Sequence, residues 1–190
     1  MSKCRSQTMS DIKMLCRMQD LNDEDVYSKS RLILSIYRQV CWSAIGRADE
    51  VQEELFCTYG ADLDEALIYL ETFAPDEMRD QFENRIHTLF ETRWMIELVD
   101  TALCKVREYP ERGDLYWEIL NLFYLSRFKY TESEVLELLN MERSTYYDRK
   151  KEAILLFGLA FYGSSIPKLR KFLCDDQQSA GVEYLYSKSL

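Results

Sequence analysis

Proline and glycine are scarce, with three and six in 190 residues. Both interrupt helices, proline by losing a donor and glycine by its backbone freedom. Their scarcity leaves long stretches open to helix. Val and Ile are sparse, and no stretch alternates apolar and polar residues as a half-buried strand does. There is a single histidine, His87, and none of the six cysteines falls in a Cys-x-x-Cys pair. The usual zinc-ligand spacing is therefore missing, and reduced cytosolic thiols are the plain reading. No signal-peptide core and no apolar run long enough to cross a bilayer is present. The expected location is the cytoplasm, without membrane contact. A Gly-rich phosphate loop is lacking too. His87 among Ile86 and Leu89 reads as structural, and the pairs Asp62/Asp64 and Glu53/Glu54 read as acidic faces. Nothing here composes an acid–base constellation, so neither an enzyme nor a cofactor is expected.

What the chain has is apolar mass and acid. At 47 % apolar it can build a real core, which argues against disorder throughout. Its thirteen tyrosines suit core or interface positions. The net charge is −9, with 33 Asp/Glu against 24 Lys/Arg. The length allows one large or two small domains.

The expected fold is all-α: a helical N-terminal domain, a long connecting helix and a C-terminal helix-turn-helix domain. Residues 1–27 read as a loosely ordered segment, with a short helix near 10–19. Residues 28–110 read as a helical oligomerisation domain. Within it a helix over 28–46 ends at Gly46, with Leu32, Ile36, Val40 and Ile45 on one side. Further helices are expected over 48–58 and 62–73. After Pro75 a helix over 75–109 carries Phe82, Ile86, Leu89, Ile96, Val99, Leu103 and Val106 on a near-heptad stripe. That stripe fits a homodimer seam or a core helix, and the two are compatible. Glu111-Arg112-Gly113 reads as the joint, and Asp114 as the cap of a buried helix over 115–126. A domain over 111–172 and a flexible tail over 173–190 complete the chain, with regular structure ending after Gly163.

The most informative stretch is 130–157. Thr131 and Glu134 have capping-box spacing. Val135, Leu136, Leu138 and Leu139 supply one apolar face, and Asn140 stands where the chain must turn left-handed. A second helix starts near Glu142 or Arg143, and buries Tyr146, Ala153, Ile154 and Phe157. Its other face opens with Arg143, Ser144, Thr145, Tyr147 and Asp148, residue types suited to base edges. Arg149, Lys150 and Lys151 suit phosphates, as does Thr131 at the first helix's start. In such folds the start of the second helix meets the bases. Segment 114–172 holds nine Lys/Arg against eight Asp/Glu, a balance of +1, and the rest of the chain carries −10. Basic charge thus gathers around the recognition helix. The acidic whole implies modest affinity and strong salt dependence.

The run Leu-Leu-Asn-Met-Glu-Arg-Ser-Thr-Tyr-Tyr-Asp-Arg-Lys-Lys-Glu-Ala resembles the helix-turn-helix of sigma-70 region 4-like proteins. It is most similar to ArpU/RinA-type phage or Firmicute transcriptional regulators, in which an Arg-Ser-Thr-Tyr-Tyr run opens the recognition helix. The likeness spans about 113–163. It departs at Asn140, where Gly is usual, and at Glu142, where Ser is usual. It implies sequence-specific transcription regulation on double-stranded DNA, with Arg143, Ser144, Tyr147 and Asp148 facing bases and Lys150 and Lys151 the backbone. It also implies RNA polymerase as a partner. Two other readings stand beside it: a small terminase-like phage packaging protein, and a helical protein-interaction module that binds no nucleic acid.

Overall fold

A computed structural model describes the backbone of residues 7–44, 68, 70–72 and 93–171. The fold is all-α, and among the described residues no strand occurs. The expected helix over 48–58, most of that over 62–73, the first half of that over 75–109 (with Phe82, Ile86 and Leu89) and the 173–190 tail lie outside the described residues. So do His87, Asp62, Asp64, Glu53 and Glu54.

Helix α1 spans Gln7–Met18 and seats Ile12 and Cys16 fully in the core. The short helix expected near 10–19 is present, and its packing into the core corrects the expectation that residues 7–27 are loosely ordered. Burial pushes the Cys16 thiol up to about 11. The helix ends in a paired closure. Asp20 is left-handed at φ 56°, and the amides of Asp20 and Leu21 return to the carbonyls of Arg17 and Cys16 at 3.1 and 3.0 Å. Asn22 then starts α2, Asp23–Ala44. Its Oδ1 accepts from the amides of Glu24 and Asp25 at 3.0 and 3.2 Å. Three acids fill the first turn, where the helix dipole is positive. The helix therefore begins at this cap rather than at residue 28. Leu32 and Ile36 are buried as their spacing predicts, joined by Val26, Ile33, Leu34 and Tyr37.

Helix α3, Arg93–Arg107, buries Met95, Val99, Ala102, Leu103 and Val106. The described part of the near-heptad stripe is thus a core face. The chain then turns through a packed corner into α4, Gly113–Leu120. Arg112, left-handed at φ 63°, is the N-terminal cap residue and makes no side-chain capping bond. Asp114, expected as the cap, sits in the first turn and pairs with Arg107 Nε at 3.0 Å. The corner is tight: a Cβ on Gly113 would lie 2.3 Å from the Arg107 carbonyl oxygen. Thr8 of α1 donates to Glu111 at 3.2 Å from the other side.

The expected helix to Ser126 instead widens after Leu120 into a π-turn, Asn121–Leu125. The Ser126 amide closes it on the Asn121 carbonyl at 2.7 Å, and Arg38 of α2 donates to the Phe123 carbonyl at 2.6 Å. Helix α5 spans Glu132–Leu138 and α6 spans Arg143–Ala160. Regular structure does not end after Gly163. A second π-turn, Phe161–Ser165, leads into helical residues 166–171. Pro167 explains the widening, because its ring would collide with a carbonyl four residues back in an ideal helix and it has no amide to donate.

The second half of α6 is the centre of the molecule. Glu152, Ala153, Ile154, Leu155, Leu156, Phe157, Gly158 and Leu159 are all buried. Helices α1, α2, α3 and α4 pack around it in one core. A smaller cluster of Ile119, Val135 and Tyr146, flanked by Leu115, Leu122, Leu136 and Leu139, joins α4, α5 and the start of α6. Helix α4 contributes Tyr116 and Leu120 to the first cluster and Ile119 to the second. The α5–turn–α6 unit is thereby seated on the main core.

Candidate nucleic-acid interface

The capping box forms as the Thr131/Glu134 spacing predicts. Thr131 Oγ1 accepts from the Glu134 amide at 3.3 Å, and Glu134 Oε2 accepts from the Thr131 amide at 2.6 Å. That amide bond, with the Thr131 hydroxyl second, holds the Glu134 carboxyl below the usual range. At the far end Asn140 is left-handed at φ 48°. The amides of Asn140 and Met141 bond back to the carbonyls of Glu137 and Leu136, both at 3.1 Å. This double closure turns the chain within a few residues and leaves Glu142 as the N-terminal cap residue of α6, where it makes no side-chain capping bond. Val135 is buried, Leu136 and Leu139 half-buried, but Leu138 is 58 % exposed. Helix α5 packs chiefly into the small cluster with Ile119 and Tyr146, so its buried strip is narrower than the four apolar residues predict.

Tyr146 is fully buried, and this fixes the rotation of α6. Arg143, Ser144, Thr145, Tyr147, Asp148 and Lys151 then face outward. Thr131 is exposed beside them. Of the residues expected to meet DNA, two are placed elsewhere. Arg149 turns inward and pairs with the buried Glu152, Nη1 to Oε2 at 2.5 Å, a carboxylate also bonded by Tyr116 Oη at 2.9 Å. Lys150 is half-buried. Its Nζ lies 2.9 Å from the Phe123 ring centre and 5.4 and 5.6 Å from those of Tyr124 and Tyr146. Burial lowers its ammonium to about 8. Both cations serve the fold, Arg149 by pairing with a carboxylate that Tyr116 of α4 also bonds and Lys150 by packing on the rings of the π-turn.

Glu132, at the first position of α5, was not legible as a site residue. Its Oε1 lies 3.1 Å from Arg143 Nε, and its Oε2 accepts from Tyr147 Oη at 2.7 Å. The Arg143 guanidinium stands 5.9 Å from the Tyr147 ring centre. Tyr147, with Glu132 second, raises the Arg143 pKa further. One acid thus joins the two side chains most suited to base edges. The only advance signal is the fifteen-residue separation of Glu132 from Tyr147, which a helix pair joined by a tight turn brings together.

Among the described residues no group of three or more His, Cys, Asp or Glu could hold a metal ion, and no helix is long and apolar enough to cross a membrane. In comparisons with known proteins, no family model, no curated protein and no solved structure matches this chain.

Proposed function

We propose that the chain is a sequence-specific DNA-binding regulator of transcription, acting through the helix-turn-helix of α5 and α6. The observation that carries this reading is the outward face of the first turns of α6. It offers Arg143, Ser144, Thr145, Tyr147 and Asp148 to solvent on a helix whose opposite side is locked by Tyr146. Arginine can grip guanine by two bonds, serine and threonine can bond either way, and a carboxylate can accept from a cytosine amino group. Thr131 and Lys151 are the phosphate contacts. With Arg149 and Lys150 turned inward, fewer cations reach the backbone than the sequence promises. The affinity then depends more on base contacts and less steeply on salt. A second copy of the chain and RNA polymerase are the protein partners in this reading, and the second copy docks elsewhere than on Val99, Leu103 and Val106, which the chain's own core buries.

The test is selection from a random double-stranded DNA pool at low salt, with Arg143→Ala in parallel. An enriched site whose affinity falls about tenfold or more in the variant is expected, the cost of one bidentate base contact. Equal losses on all sequences would count against Arg143 as a base reader.

A specific observation favours a second reading, a protein-interaction module. Phe128, Leu138 and Tyr147 are large side chains exposed by 66, 58 and 45 % around the same unit, in a chain of net charge −9. No retention on DNA at low salt, with the helices intact, would favour it.

A further inference from the structure

Arginine reads guanine well only when its guanidinium plane is held. The side chain is long, and fixing its rotamers costs entropy at binding. A carboxylate that takes one edge of the fork removes much of that cost in advance. Glu132 is placed to do this. Its Oε1 engages Arg143 from the side, at Nε and 3.1 Å. A bond at Nε leaves the terminal pair of guanidinium nitrogens, the edge that can meet two acceptors, unclaimed by this Oε1 contact. Arg143 is 72 % exposed and within reach of a ligand, while Glu132 is only 30 % exposed and better fixed. Tyr147 Oη holds the other carboxylate oxygen at 2.7 Å, so the acid cannot swing freely. Glu132 is in turn the first residue after the Thr131 cap, at the positive end of α5.

We infer that Glu132 is a specificity-determining positioning residue, which buttresses Arg143 to read the O6 and N7 edge of a guanine. This rests on the DNA-binding reading. It gives Tyr147 a new part as well: its phenol steadies the buttress rather than touching a base. A carboxylate near DNA also repels phosphates, so Glu132 trades general affinity for discrimination.

The experiment measures binding of the whole chain to its selected duplex and to the same duplex with that guanine replaced by 7-deazaguanine, which lacks the N7 acceptor. Wild-type protein is expected to lose about tenfold on the deaza duplex. Glu132→Gln is expected to bind both duplexes alike, with random DNA bound as tightly as before or more so. Glu132→Asp is expected to recover part of the discrimination. Tyr147→Phe, which keeps the ring and removes the bond, is expected to lie between wild type and Glu132→Gln, and serves as the second variant if Glu132→Gln fails to fold. Full discrimination retained in Glu132→Gln, or in Tyr147→Phe where that variant stands alone, overturns the buttress and leaves DNA binding intact. A wild-type protein that selects no site overturns both.

Discussion

Arg149 and Glu152 meet inside the protein, with Nη1 2.5 Å from Oε2 of a carboxylate that has no solvent exposure. The pair lies one turn beyond the outward face of α6 and ties it to α4 through Tyr116. Burial, then the bond to Glu152, pushes the Tyr116 phenol up to about 12. Removing the cation strands a buried charge. Arg149→Ala is expected to cost about 3–5 kcal/mol, and Arg149→Ala with Glu152→Gln to recover part of it. Guanidinium unfolding checks both. A single variant within about 0.5 kcal/mol of wild type would fit a surface pair instead.

Like Asp20 between α1 and α2, two further left-handed residues carry turns between helices. Arg112 holds φ 63° and Asn140 φ 48°. A left-handed conformation costs an ordinary L-residue about 1–2 kcal/mol, and asparagine less. Arg112→Gly is expected to stabilise the protein by about 0.5–1 kcal/mol, and Asn140→Ala to destabilise it by about 1 kcal/mol. Thermal unfolding measures both.

Gly158 brings α6 against α2. A Cβ there would lie 2.2 Å from Ser30 Oγ and 2.4 Å from Val26 Cγ1, and both neighbours are buried. Gly158→Ala is expected to destabilise by about 1–3 kcal/mol despite alanine's better helix propensity. A gain in denaturation midpoint would show that α2 gives way more easily than this packing allows.

Lys150 sets a pH dependence. Unfolded, its ammonium holds its proton to about 10.5, whereas in the folded protein burial lowers that to about 8. Between those values the unfolded chain binds more protons, so this group makes stability rise with pH in that window. Its penalty is complete below about pH 8. The difference in stability between wild type and Lys150→Met is expected to shrink from pH 8 to 10.5, with the variant the more stable at neutral pH. A difference that does not change with pH would contradict the burial of this ammonium.

Much of the α5–turn–α6 unit was legible because its signals are local. The Thr131/Glu134 box, Asn140 at the turn and buried Tyr146, Ala153, Ile154 and Phe157 all follow from spacing and backbone preference. What was not legible depends on tertiary packing. Leu155, Leu156 and Leu159 flank the predicted stripe and are buried because four other helices surround α6. That same surround draws Arg149 and Lys150 inward, although as Arg-Lys-Lys they read as a basic face. Both α1 and α2 were expected as helices, but the packing of α1 and the start of α2 were not. The Asn22 cap and the acidic first turn of α2 are clear signals, whereas the apolar residues of Gln7–Met18 do not fall on one side: Ile12 and Cys16 are buried while Met14 and Met18 are exposed. The π-turns after Leu120 and Ala160 leave no sequence trace except Pro167.

The central claim is that the α5–turn–α6 face meets DNA. Backbone amide NMR shifts of the whole chain, titrated at low salt with duplexes enriched from the random pool and with the unselected pool itself, test it most directly. The account predicts shifts concentrated at Thr131–Glu134 and Arg143–Lys151, reversed by added salt. Shifts confined to α1–α3, or no shifts at all while the protein stays folded, would contradict it.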